Sequence, residues 1–156
     1  MGQHAAIKYP LVPKSSQKLV PGDFWAVPLR DGTFGCGRVL ERMPRGMPGA
    51  RVGFLGALLN WRGERQPDYE SIARAPALEQ GVMHIMAITQ TGGAVLGNRP
   101  LQLDGVEPWV FGHGNDVQRG FTVLRRRSQA DRNLPSLSWW GYDVIQILAN
   151  KKLLRE

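Results

Sequence analysis

The chain has 156 residues and a mass of 17.4 kDa, the size of one domain. Hydrophobic residues make up 42% of it and charged residues 21%, which excludes an intrinsically disordered protein. The formal charge of +7 is spread along the chain, so composition alone does not indicate a nucleic-acid-binding protein. No apolar run approaches the ~20 residues that span a bilayer, and the lone cysteine excludes an intramolecular disulfide. We therefore expect a cytoplasmic protein without a membrane segment.

Residues 1–20 are polar and have no sustained hydrophobic period. Pro10 and Pro13 interrupt this stretch, and the pattern changes sharply at the turn residues 21–23. We interpret residues 1–20 as an N-terminal tail or a strap laid over the protein, and residues 21–156 as a single α+β domain.

A β-hairpin is predicted directly after this tail. Residues 24–29 form a short apolar run, residues 30–33 have Asp-Gly at their centre, and residues 34–40 form the return strand. Phe24 and Trp25 are adjacent on a strand, so their side chains must lie on opposite faces of the sheet.

The glycines of the return strand predict close packing on one face of that strand. Gly35 and Gly37 share one face of that strand, which leaves room for a neighbouring ring or backbone.

The rest of the chain predicts further short strands, a short internal helix and a C-terminal helix. Strands are expected at residues 51–60, 82–89, 94–97, 109–111 and 120–124, loops at 43–49 and 112–116, and helices at 67–77 and 138–150. The predicted fold is α+β: a small, strongly bent antiparallel sheet, or an SH3-like partial barrel, with the C-terminal helix covering an open side.

The C-terminal helix has its own predicted apolar stripe. Trp140, Val144, Ile147 and Leu148 fall on one helical face, and Trp139 lies at the margin of that face.

The residue types that usually carry catalysis are sparse. His4, His84 and His113 have no metal-ligand spacing, so we expect no metal and no cofactor. Cys36 sits between two glycines on a strand and is interpreted as a small buried hydrophobe. His113 and Asp116 share a glycine-rich loop, which keeps a hydrolase open as a weaker alternative. The chain is interpreted as non-enzymatic.

Residues 21–40 resemble the N-terminal signature of a known family. They contain a Gly-Asp-aromatic step, a Val-Pro-Leu strand, an Asp-Gly turn and a Gly-x-Gly-Arg-Val return strand. In these features the chain resembles the bacterial immunity protein 26 family of polymorphic toxin systems.

The resemblance implies a non-enzymatic protein that neutralises a cognate protein toxin by binding it. Trp25, Arg30, Asp31 and Arg38 are the candidate partner-binding residues within the resembling segment. Trp61 and Trp139 join them, because tryptophan is common at the centres of protein interfaces. Since the chain is basic, the toxin surface that it covers is expected to be acidic or apolar.

The alternative function is a small nucleic-acid-binding β-barrel. It would use exposed aromatic side chains together with Arg125, Arg126 and Arg127, the one concentrated basic run in the chain. A steep dependence of oligonucleotide affinity on salt would identify this alternative.

Overall fold

A computed structural model describes residues 7–154; the prediction for His4 and the rest of residues 1–6 lies outside them. Within the described residues, eight strands form two antiparallel sheets, and a helix lies near the C-terminus. The predicted α+β class is therefore confirmed, and the sheets do not close into a barrel. No helix in residues 7–154 is long and apolar enough to cross a membrane.

The first sheet has five strands in the order β4-β3-β2-β1-β5, and all neighbours are antiparallel. Its members are β1 (Asp23–Pro28), β2 (Phe34–Arg42), β3 (Gly53–Leu59), β4 (Ala77–His84) and β5 (Val95–Asn98). The predicted hairpin is confirmed as β1 and β2. Its turn closes with two hydrogen bonds, from the Gly32 N–H to the Leu29 carbonyl and from the Leu29 N–H to the Thr33 carbonyl.

The second sheet has three strands in the order β6-β7-β8. They are β6 (Val110–His113), β7 (Asp116–Arg119) and β8 (Thr122–Arg126). The loop predicted at 112–116 is wrong in extent: His113 and Asp116 are opposite each other in the ladder, so only two residues form the turn. One of these is Gly114, whose φ of 58° is a left-handed conformation that glycine adopts at little cost.

Both faces of the first sheet are buried. Trp25 packs on one face, where its ring meets Phe54 edge-on at a centroid distance of 5.8 Å. Phe24 packs on the opposite face beside Cys36. The alternation predicted for Phe24 and Trp25 is therefore confirmed, because each ring has its own buried cluster. Gly37 is opposite Trp25 in the ladder, and the indole lies against it where a side chain would be.

The helix predicted at 67–77 is wrong, because this segment is a series of turns. The Asp68 carboxylate accepts hydrogen bonds from the N–H groups of Glu70 and Ser71, as a helix cap would. The helical path nevertheless ends at Arg74, whose φ of 65° is left-handed.

The strand predicted at 82–89 is correct only to His84. There the His84 Nδ1 accepts a hydrogen bond of 3.0 Å from the Met86 N–H, which turns the chain out of the sheet. Residues Met86–Thr89 form α1, a four-residue internal helix that was not predicted at this place.

The C-terminal helix begins later than predicted. It is α2 (Val144–Leu153), since residues 138–140 are extended and pair with β4. The predicted stripe is also wrong in detail: Ile145 and Ala149 are the fully buried positions of α2, whereas Ile147 is exposed. Trp140 does pack on the core, but from an extended segment that contacts Gly81.

Three outer edges of the two sheets are covered by single bridging residues. Leu11 exchanges two hydrogen bonds of 2.8 Å with Val95 on β5. Val82 on β4 pairs with the backbone on either side of Trp139, and Gly112 on β6 donates to the Pro135 carbonyl at 2.9 Å. In residues 7–154, the outer edge of β8 has no such cover.

The segment before β1 is fastened by a buried carboxylate. Asp23 is fully buried and accepts hydrogen bonds from the Tyr9 hydroxyl at 2.6 Å and from the Val20 N–H at 2.9 Å. Burial and the hydrogen bond to Asp23 raise the pKa of Tyr9. The division of the chain at residue 20 stays a prediction.

Candidate functional site

Three of the predicted partner-binding residues lie at one end of the first sheet. Arg30 and Asp31 form the tip of the β1–β2 hairpin, and the Asp31 carboxylate accepts from Arg62 Nη2 at 2.9 Å. Trp61, the neighbour of Arg62, is partly buried, and its indole N–H donates to the Ser71 carbonyl. The structure therefore brings Arg30, Asp31 and Trp61 together on one surface, which we call the hairpin tip.

Local hydrogen bonds fix the charge at the hairpin tip. The Thr33 hydroxyl and the Thr33 N–H both donate to Asp31, which lowers the pKa of that carboxyl. Arg30 is tethered through its backbone N–H, which donates to the Asn150 side chain at 2.9 Å. Its guanidinium remains at the exposed end of the hairpin. The tip thus presents a rigid pair of opposite charges beside a half-buried indole.

Two other predicted partner-binding residues are inside the protein. Trp25 and Arg38 have no exposed surface, so neither side chain offers an atom to a partner in this structure. Arg38 Nη1 donates to Asp104 Oδ2 at 2.8 Å, and its Nη2 donates to the carbonyls of Arg99 and Pro100. This buried guanidinium holds the 3₁₀ turn Leu101–Asp104 against the sheet.

Asp104 is the centre of that buried network. Arg99 Nε and the Arg74 N–H donate to its carboxylate at 2.9 and 2.8 Å, in addition to Arg38. Burial alone would raise the pKa of Asp104, but the hydrogen bonds from Arg99, Arg74 and Arg38 lower it to about 2. Asp104 is therefore ionised at neutral pH, and its role is to balance two arginines inside the fold.

Trp139 lies at the opposite end of the first sheet from the hairpin tip. Its side chain is 54% exposed, although its backbone is fixed by the pairing with Val82. The indole rests on Gly49 and Gly53, where there is space for a ring. Gly53 is opposite His84 in the ladder, and the His84 ring meets Tyr142 at a centroid distance of 5.2 Å. Trp139 and Tyr142, with His84, form what we call the aromatic surface.

A groove next to the aromatic surface was missed by sequence reasoning. It has a volume of about 600 Å³, and its charged lining residues are Arg42, Arg45, Arg51 and Glu41. Burial raises the pKa of Glu41, whose carboxylate accepts from the Phe121 N–H at 2.8 Å. The sequence contains one indication of this groove, because arginines lie within and on both sides of the 43–49 loop. Their spacing matches no known motif.

The three consecutive arginines do not form a continuous basic strip. Arg125 makes two hydrogen bonds to Asp131, which lower the pKa of that carboxyl and offset the arginine charge. The Arg127 guanidinium lies over Gly112. Arg126 is exposed and lies opposite Asp116 in the β7–β8 ladder, without an ion pair within 4 Å in residues 7–154. Within the described residues, Arg125 is thus the one arginine of the three that forms an ion pair.

The residues considered for catalysis are not assembled into a site. His113 and Asp116 flank a two-residue turn, and His113 is exposed to solvent. Burial raises the pKa of the Cys36 thiol, which disfavours the thiolate that a nucleophile requires. Among residues 7–154, no group of three or more His, Cys, Asp and Glu side chains is placed to hold a metal ion.

Comparison with known proteins gave one match. A family model described as Immunity protein 26 matches residues 20–121, which is more than half of the chain. No curated protein and no solved structure matched significantly. The matched residues include β1 to β7 and the hairpin tip, and they end immediately before β8; the aromatic surface draws Trp139 and Tyr142 from outside the match.

Proposed function

Because the chain belongs to the immunity protein 26 family, we propose that it binds a cognate toxin of a bacterial polymorphic toxin system. It neutralises that toxin in the cytoplasm by forming a complex and catalyses no reaction. The family match is the observation that carries this proposal. A preorganised surface with a few aromatic or arginine anchors is sufficient for such a function.

Several residues of the segment that resembles the family stabilise the fold and are not placed to contact a toxin. Gly22 and Gly37 lie where a Cβ would collide with the Arg99 carbonyl and the Trp25 ring, respectively. Asp23 and Arg38 are buried and make hydrogen bonds that hold loops to the sheet. These four residues maintain the fold, so the toxin-contacting surface is left to other residues.

The exposed apolar side chains favour the segments outside the family match. Eleven large hydrophobic side chains are exposed in the described residues, and seven of them lie outside residues 20–121 although this part is much shorter. These seven are Ile7, Val12, Val123, Leu124, Trp139, Tyr142 and Ile147. Exposed apolar groups are a common feature of protein-binding surfaces. We therefore place the principal toxin contacts in the C-terminal part of the chain.

Trp139 is the proposed central anchor. It combines a half-exposed indole with a backbone fixed by β4, so little conformational entropy is lost when a partner covers it. The neighbouring groove contributes Arg42, Arg45 and Arg51. This combination suits a toxin surface that is acidic at its edge and apolar at its centre.

The hairpin tip is the second proposed contact region. Arg30, Asp31 and Trp61 remain candidates there, since Arg30 and Asp31 are exposed on the turn and the Trp61 side chain is partly exposed beside them. Trp25 and Arg38 are proposed to act indirectly, by holding β1 and β2 in the positions that present this tip.

The pairing of Arg125 with Asp131 weakens the nucleic-acid alternative. Phosphate recognition by a basic run requires charges that are free to meet successive phosphates. Arg125 is engaged with Asp131 and Arg127 packs on Gly112, so the three guanidinium groups are not arranged as a continuous strip.

The test is co-expression with the toxin encoded beside the gene of this chain. We expect this chain to restore growth of a sensitive host and to co-elute with the toxin in a complex of fixed stoichiometry. A toxin that keeps its full activity in the presence of excess purified chain would contradict the proposal. A parallel titration with single-stranded and duplex oligonucleotides across salt concentrations tests the alternative.

A further inference from the structure

We propose that the outer edge of β8 is a docking site for an extended acidic segment of the partner, which adds to the second sheet as a fourth strand. The inference rests on the proposed function in one respect, that the partner is a protein. It goes further by naming the surface, the mode of pairing and the chemistry of the partner segment.

The outer edge of β8 differs from the other sheet edges in the described residues, because no other segment pairs with it. An uncovered edge strand offers unpaired N–H and C=O groups to any other chain, so folded proteins cover or disrupt such edges. Here β5, β4 and β6 are each covered by one bridging residue from an irregular segment: Leu11, Trp139 and Ser136. No residue in 7–154 does this for β8, whose backbone pairs only with β7.

β8 is exposed to solvent along its whole length. All five residues of β8 are exposed, and Val123 and Leu124 keep 56% and 50% of their surface in solvent. Alternate residues of a strand direct their backbone groups toward the outer edge. An added strand would therefore pair with these groups and cover the two apolar side chains.

Charge selects the occupant of the β8 edge. Arg126 is exposed and makes no ion pair within 4 Å in the described residues, although Asp116 lies opposite it in the β7–β8 ladder. A second copy of this chain, paired through β8, would add a strand that contains Arg125 and Arg126 and no acidic residue, so it would supply no counter-charge. A segment with glutamate or aspartate opposite Arg126 is favoured by the same charge. The partner segment is thus an acidic strand.

The irregularity of β8 is consistent with selectivity. The pairing of β7 with β8 shifts register between Val117 and Gln118, so the edge is bulged and does not present a flat ladder. The bulge and the arginines disfavour pairing with arbitrary strands. We therefore expect stable binding only for a segment that has an acidic side chain opposite Arg126.

The experiment uses the full chain and a synthetic probe and needs no toxin. The probe is a fluorescent eight-residue peptide in which glutamate alternates with valine and threonine, and fluorescence anisotropy measures its affinity. We expect saturable binding of this peptide. We expect at least a tenfold loss when alternate amides of the peptide are N-methylated, because that change removes the donors of one strand edge.

Matched variants of the protein locate the site. Arg126→Glu should weaken binding of the acidic peptide by at least about tenfold and should improve binding of the same peptide with lysine in place of glutamate. Arg65→Glu, at an exposed arginine of the 60–66 loop, changes the net charge equally and should leave both affinities unchanged. Leu124→Glu should also weaken binding, whereas Leu103→Glu, at a similarly exposed leucine, should not.

Three results with the probes overturn the docking site, and one result in cells does so as well. The probe results are no binding at about 1 mM peptide, binding that N-methylation does not weaken, and tighter binding of a short oligodeoxythymidine than of the acidic peptide. The proposed function fails separately: a chain that binds the peptide through Arg126 and protects no cell from its toxin keeps the edge site and loses the immunity role. If Arg126→Glu protects cells as well as the unaltered chain does, the toxin contacts other surfaces and the inference is wrong.

Discussion

The indole of Trp25 lies flat against the backbone of Gly37, its partner across the β1–β2 ladder, and occupies the space that a side chain at 37 would need. Trp25 is fully buried at the centre of the larger core cluster. The Gly-x-Gly pattern of β2 therefore serves the packing of one ring, and the position that contacts it is the second glycine.

Gly37→Ala should destabilise the protein by about 1–3 kcal/mol, because the added methyl group must displace the Trp25 ring or the strand. Gly35→Ala on the same strand is the matched control, since its Cβ would meet the flexible end of Leu153 at 3.1 Å and Ala149 and Leu58 at ordinary van der Waals distances. Urea unfolding of both variants measures the difference. Equal midpoints for the two variants would contradict the packing described for Trp25.

Asp104→Asn should cost about 3–5 kcal/mol, because it leaves the buried Arg38 guanidinium without its counter-charge. The control is Asp31→Asn, which removes an ion pair with Arg62 whose partners are both partly exposed. We expect little change in the unfolding midpoint for this control. If Asp31→Asn lowers the free energy of unfolding as much as Asp104→Asn does, burial of the ion pair does not determine the loss of stability.

Stability should depend on pH in the acid range through Asp104. Its pKa is about 2 in the folded protein, against ~3.9 for an unfolded aspartate. The contribution of a depressed pKa is complete above the unfolded value and disappears as the pH falls through the folded one. The free energy of unfolding should thus fall from about pH 4 to about pH 2, and Asp104→Asn should reduce this slope. An unchanged slope in the variant would assign the acid sensitivity to other carboxyl groups.

Trp139→Ala should weaken toxin binding by about 2 kcal/mol or more, as truncation of an interface tryptophan does, and should leave the melting temperature nearly unchanged. Leu103→Ala is the control, because Leu103 is equally exposed and lies on the far 3₁₀ turn. Calorimetric titration with the toxin and thermal unfolding are the two measurements. A large drop in melting temperature with intact binding would assign Trp139 to the fold.

The sequence predicted the parts of the fold that depend on short-range signals. The Asp-Gly turn and the alternation around it predicted the β1–β2 hairpin and the opposite burial of Phe24 and Trp25. These follow from turn chemistry and the two-residue period of a strand, which act within a few residues. The strand predicted at 51–60 is present as β3 (Gly53–Leu59), where glycines favoured a strand over a helix.

The errors lie where long-range contacts decide the local structure. Helical propensity at 67–77 is overridden at Arg74, whose N–H donates to Asp104, thirty residues away in the chain. The helix predicted from residue 138 gives way to an extended segment, because Val82 supplies a backbone partner for residues 138 and 140. Neither contact leaves a signal in the nearby sequence.

The candidate site, like the fold, could be predicted from the sequence only in part. Arg30, Asp31 and Trp61 could be grouped only after β2 and β3 brought the hairpin tip and residue 61 to one end of the sheet. Arg38 could not be recognised as buried from its strand alone, because its counter-charge at Asp104 is sixty-six residues away. Trp139 was identified by residue type, and its role in toxin binding stays a prediction.

The bridge between Leu11 and Val95 bears on how this protein can be shortened. A version trimmed to start at residue 20, where the family match begins, would lose Leu11 and leave β5 open along its length. Such a fragment should self-associate through the bared strand, and size-exclusion chromatography would reveal the oligomers beside a monomeric full-length chain. The segment around Leu11 would then be what prevents the full-length chain from polymerising through β5.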